Sequence, residues 1–126
     1  MKPRSEIKSE LEGKSNRAFA FACVGIMQAN PDSFSEDDIS ALQDPDRCKG
    51  IYDYRLPVLN AVASESLAND DEVMINKRQR YYRDVFELRG ERFVITNNWF
   101  GRDCINRENR GPFLDWILSR TASPSA

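Results

Sequence analysis

Nine Lys or Arg side chains, half of the chain's 18, fall within the 34 residues from 77 to 110. Lys77, Arg78, Arg80 and Arg83 precede a predicted hairpin, Arg89 and Arg92 lie at its tip, and Arg102, Arg107 and Arg110 follow it. Cations at that density can neutralise several phosphates or meet the carboxylates of a protein surface. Tyr81, Tyr82, Trp99 and Phe100 are interleaved with them. Flat rings beside cations stack on bases where exposed and anchor protein interfaces where half-buried. The residues expected to carry contact are Lys77, Arg78, Arg80, Tyr82, Arg83, Arg89, Arg92, Trp99 and Arg102. The competing reading is that the rings pack a small core and the arginines form a solvated face.

Bond-making chemistry is harder to find. The chain has no histidine, which removes the commonest general base and metal ligand. Asp84, Glu87, Asp103 and Glu108 could surround a divalent metal, as in a nuclease. Glu87-Leu88-Arg89, however, puts an arginine where that chemistry uses a lysine, and arginine stays protonated. No phosphate-binding glycine loop, nucleophile elbow or zinc-protease motif occurs. Cys23, Cys48 and Cys104 are odd in number and widely spaced, so neither a zinc site nor a disulfide framework is expected. Cys48, between Arg47 and Lys49, is the one thiol whose neighbours would lower its pKa. No catalytic residue, metal or cofactor is assigned, and the chain is read as a non-enzyme.

Charge is divided along the chain. Residues 1–76 carry 8 Lys/Arg against 14 Asp/Glu, a net of −6, and residues 77–126 carry 10 against 6, a net of +4. Such a split suits a docking face for an anion or a self-complementary dimer. At 126 residues, with 40% hydrophobic and 30% charged side chains, one soluble domain is expected. The apolar run over residues 18–27 is too short to span a bilayer, and acidic residues precede it where a leader would be basic. A cytoplasmic protein follows from these features and from the cysteine usage.

The elements that would position these groups can be read in order. Residues 1–14 form a short helix or arm, with Ile7 and Leu11 four apart. Ser15 or Asn16 caps a core helix to about Ala29, with Phe19, Cys23, Ile26 and Met27 on one face. Ser35 caps a two-turn helix with Asp38 at the capping-box position and Ile39 and Leu42 inward. Residues 45–56 read as a connector anchored by Ile51, Tyr52 and Tyr54. Pro57 opens a third helix, with Val58, Leu59, Val62 and Leu67 at helical spacing. Residues 73–75 are a short strand or buried turn. Arg89-Gly90 is a two-residue turn that places Glu87 opposite Arg92, Phe86 opposite Phe93 and Val85 opposite Val94. Gly111-Pro112 starts a last helix with Phe113, Trp116 and Ile117 inward, and residues 121–126 form a disordered tail.

The result is an α+β domain over residues 15–120, mostly helical, with one β-hairpin and a C-terminal helix. Helix-helix-helix-hairpin is the order of a winged-helix domain. Through Asp38-Ile39, Leu42, Pro57-Val58-Leu59, Tyr81-Tyr82, Phe86, Gly90 and Trp99, residues 35–118 resemble winged-helix-like C-terminal modules of bacterial restriction- or defence-associated proteins. The resemblance implies an accessory fold unit and carries over no catalytic residue. A binding module acting through the basic hairpin region follows, with a protein partner or self-association ahead of DNA or RNA. The predicted third helix, residues 56–68, has no Lys or Arg and runs into Asp70-Asp71-Glu72, so it would repel a phosphate backbone. A sequence pI near 5.2 points the same way.

Overall fold

In the computed structural model, which describes residues 4–99 and 109–121, Ser15 ends one helix-breaking stretch and starts the central helix. Its side chain accepts a hydrogen bond from the Ala18 N–H and caps α2, Asn16–Ala29. Phe19, Ala20, Cys23, Val24 and Met27 on this helix are buried. The N-terminal segment is a helix, α1 (Arg4–Glu12), held down by Leu11 with Ile7 packed beside it. The expected capping box is present at α3, Glu36–Leu42, where Ser35 and Asp38 bond reciprocally.

Residues 45–56 depart from the expected connector. Asp44 caps the Asp46 N–H, Pro45 stands at the first helical position, and α4 runs Pro45–Tyr52. Asp53, at φ 58°, ends it in the left-handed region. Cys48 and Tyr52, four apart, form its buried face. Asp44-Pro45-Asp46 therefore stops one helix and starts another in three residues.

The helix expected from Pro57 does not form. Residues 59–61 are a strand, β1 (Leu59–Ala61). Two apolar side chains in succession followed by Val62 satisfy a strand as well as a helix, and pairing with another strand decides it. Leu67, assigned to the inner helical face, is 65% exposed. Asn69 and Glu72 form a second capping box around a single helical turn, α5 (Asp70–Val73).

The predicted hairpin is present in the predicted register. Strands β4 (Phe86–Leu88) and β5 (Glu91–Ile95) place Phe86 opposite Phe93 and Glu87 opposite Arg92. Arg89 (φ 51°) and Gly90 (φ 81°) both take positive φ, as a type I′ turn requires. With β1 on its other side, β5 is the middle of a three-stranded antiparallel sheet in the order β1-β5-β4. A second hairpin stands apart from it. β2 (Met74–Ile75) pairs with β3 (Arg78–Gln79) across Asn76 and Lys77, which also both have positive φ.

The sheet is covered on both faces. Leu59, Leu88, Phe93 and Ile95 join the main core with α2, α3, α4 and the closing helix α6, Arg110–Thr121. Phe113, Leu114, Ile117 and Leu118 of α6 are buried, with Trp116 packed beside them. A second, smaller core of Ala68, Val73, Tyr81 and Val94 ties the β2–β3 ribbon to the rest. The molecule is thus an α+β domain, mainly helical, closed by a C-terminal helix.

Candidate binding surface

The nine residues expected to form one contact face are divided by the fold. The β4–β5 turn lies at the Glu91 end of β5. The β2–β3 ribbon leaves beyond its other end, where Tyr81 bridges Thr96 and the Asn97 N–H donates to Arg80 O. Five residues of strand separate them, about 16 Å. Arg102 lies outside the described residues, as do Cys104, Arg107, Asp103, Glu108 and Phe100.

Trp99 is a correction. Expected as a half-exposed anchor, it is 3% exposed, with its indole N–H donating to Thr96 O at 2.7 Å. Its ring lies 5.0–5.6 Å from those of Phe113, Phe19 and Tyr52. A ring with that many neighbours stabilises a small core through area and edge-to-face packing. Tyr82 is half-buried against Phe21 at 5.6 Å, and the Arg17 guanidinium sits 5.3 Å above it.

Three arginines are engaged inside the molecule. Arg80 donates to Asn98 Oδ1 at 2.9 Å, while its carbonyl accepts from Thr96 Oγ1 and Asn98 Nδ2. Arg83 donates to Ala68 O at 3.2 Å and pairs with Asp70 at 2.5 Å. Arg92 donates to Ala63 O at 3.0 Å and lies 4.0 Å from Glu87. Arg89 is exposed, and its guanidinium donates to Phe34 O at 3.1 Å. Arg89 and Arg92 share a cleft of about 610 Å³ with Glu36, Ile39, Ser40, Gln43 and Glu91.

Lys77 and Arg78 are left. Both are exposed, and neither side chain makes a hydrogen bond or ion pair with the described residues. In the ribbon's register Ile75 faces Arg78 and Met74 faces Gln79, so an apolar side chain and a free cation stand side by side. Ile75 is 37% exposed and Met74 36%. With Leu67 they are the exposed large hydrophobics among the described residues. The sequence had marked the two cations but not the ribbon that presents them. An Asn at 76 was the only turn signal.

The ribbon's base is held by Glu72. Its carboxylate accepts from the Ser64 hydroxyl, from Ala63 N–H at 2.8 Å and from Asn69 N–H at 3.1 Å. The Ser64 hydroxyl and these amides favour the charged form and lower its pKa to about 2. Asn60 donates to Glu72 O at 2.8 Å and belongs to this same anchorage.

The nuclease reading finds no geometry among the described residues. Asp84 pairs with Arg17, Glu87 faces Arg92, and no group of three or more His, Cys, Asp or Glu converges. The Cys48 thiol is buried, donating to Ala41 O and Leu42 O. Burial pushes it up to about 11, outweighing the Arg47 charge expected to activate it. Among the described residues no helix is long and apolar enough to cross a membrane.

No protein-family model, curated protein or solved structure matches this chain.

Proposed function

We propose that this chain is a non-catalytic protein-binding module whose contact surface is the β2–β3 ribbon. One observation carries this reading. Lys77 holds a left-handed conformation, φ 66°, at a turn position where glycine costs least. Its ammonium gains nothing from the described residues in return. Local strain without local compensation is the mark of a residue kept for what it meets outside.

The chemistry of the surface selects the partner. Lys77 and Arg78 supply two donors with no acceptor in place, and Ile75 and Met74 supply apolar area beside them. A protein segment mixing Asp or Glu with a large aliphatic or aromatic side chain satisfies both. The short ribbon strands can also add an extended segment by main-chain pairing. A nucleic acid is served less well, because Arg80, Arg83 and Arg92, counted on for phosphates, are bonded to protein groups. Self-association is served less well too, since cations of the basic half already meet acids of the acidic half within one molecule through Arg83–Asp70 and Arg120–Asp38.

Panning a displayed random-peptide library on the immobilised protein tests the reading. Enriched peptides should combine acidic and large apolar residues. They should lose at least tenfold in affinity for Ile75→Asp and for Arg78→Glu, both at exposed positions where stability shifts by no more than about 0.5 kcal/mol. Enriched peptides that bind both variants undiminished would place the surface elsewhere. Tight low-salt binding of DNA or RNA, with log affinity falling by about 2 per decade of salt as two phosphate contacts require, would replace the protein partner with a polynucleotide.

A further inference from the structure

The cleft at the far end of β5 has a charge pattern unlike that of the ribbon. About 610 Å³ of space lies between the outward face of α3, with Glu36, Ser40 and Gln43, and the sheet, with Arg89, Glu91 and Arg92. That volume is in the range of small-molecule sites. The two guanidiniums bond main-chain carbonyls, Arg89 to Phe34 O and Arg92 to Ala63 O. Such bonds fix their position without cancelling their charge; Arg92 has Glu87 at 4.0 Å, and Arg89 has no carboxylate partner among the described residues. The two acids, Glu36 and Glu91, are exposed and their side chains make no bond with the described residues. A free anion entering the cleft would meet both carboxylates, and a free cation both guanidiniums. The apolar lining, Ile39 and Val62, offers a small patch between the charges.

We infer that this cleft is a binding site for a small zwitterion, a molecule of amino-acid or dipeptide class. Its carboxylate lies toward Arg89 and Arg92 and its ammonium toward Glu36 and Glu91. Ser40 and Gln43, whose Nε2 already donates to Ile39 O at 3.3 Å, line the same cleft and can meet a peptide group. The site is independent of the ribbon and of any partner bound there.

The test uses alanyl-alanine as probe, with acetyl-alanyl-alanine as the anion and alanyl-alanine amide as the cation, followed by amide chemical shifts of the whole chain. The zwitterion should shift residues 36–43, 61–62 and 89–92 in a saturable way, with each control at least fivefold weaker. Glu36→Gln and Glu91→Gln remove charges that serve no described contact, so the fold is retained. In the double variant the zwitterion should weaken at least fivefold while the anion binds more tightly than to the wild type. That crossing is not produced by a purely structural effect. Equal binding of zwitterion and anion to the wild type would make this a plain anion site and overturn the inference. So would shifts confined to other residues, or no saturable shift at all.

Discussion

Lys77 and Glu72 lie five residues apart and show opposite relations between a charge and its surroundings. Lys77 is held in an unfavourable backbone conformation with a free ammonium; Glu72 is a carboxylate with donors on several sides. Lys77→Gly should stabilise the fold by roughly 0.5–1 kcal/mol, because Asn-Gly is the favoured pair for this turn. Urea denaturation measures the gain, and peptide binding should fall in the same variant. A loss of stability would show that Lys77 makes a contact worth more than the strain. For Glu72 the sign of the pH dependence is set by its depressed pKa. Its contribution is fully present above the ordinary value of 4.5 and is lost as pH falls toward about 2. Glu72→Gln should therefore lower the melting temperature at pH 7, and the gap from wild type should close on acidification across that window. A constant gap at all pH values would mean that shape, not charge, holds the ribbon's base.

Among the elements, the register of the β4–β5 hairpin was legible and the β2–β3 ribbon was not, although its first strand falls in residues 73–75, read as a short strand or buried turn. Val85-Phe86-Glu87-Leu88 and Arg92-Phe93-Val94-Ile95 carry β-formers around a glycine, and Glu87 opposite Arg92 fixes the register. The ribbon strands are two residues each and lack a glycine, so no periodicity could reveal them. Residues 57–62 were misread for a different reason. A helix and an edge strand both accept Val58-Leu59 with Val62, and the choice was made by Phe93–Ile95, more than thirty residues away. Helix caps, by contrast, are local. Ser15 and the Ser35–Asp38 box were readable because the side chain and the N–H it caps lie within three residues. Trp99 follows from the same distinction. It was expected to carry contact, yet Asn98 turns inward to hold Arg80 and the indole closes the aromatic core between α2, α4 and α6. Trp99→Ala should cost about 3–5 kcal/mol, a large share of the stability of a domain this size. Thermal unfolding followed by far-ultraviolet circular dichroism checks it, and a loss under 1 kcal/mol would return Trp99 to the surface.

At the level of the whole molecule, part of the charge split between the halves is met at home. Arg83–Asp70 and Arg120–Asp38 set cations of the basic half against acids of the acidic half, and Arg17–Asp84 joins the halves in the opposite sense. Each exposed pair contributes little by itself, well under 1 kcal/mol in the typical case. Among the described residues Lys77 and Arg78 keep side chains without a partner. The candidate site shrank from nine residues because Trp99 is buried and Arg80, Arg83 and Arg92 bond protein groups. The cores divide in a matching way: one holds most of the helices and the inner face of the sheet, and the other joins the ribbon's root to Val94 of β5. A ribbon rooted in its own small core behaves like a graft on a stem. Its tip can lengthen, shorten or exchange sequence between Ile75 and Arg78 while the stem's packing goes on unchanged. Related chains could therefore diverge in what they hold without relearning how to fold, and the same junction offers an engineer a place to splice in a new recognition loop.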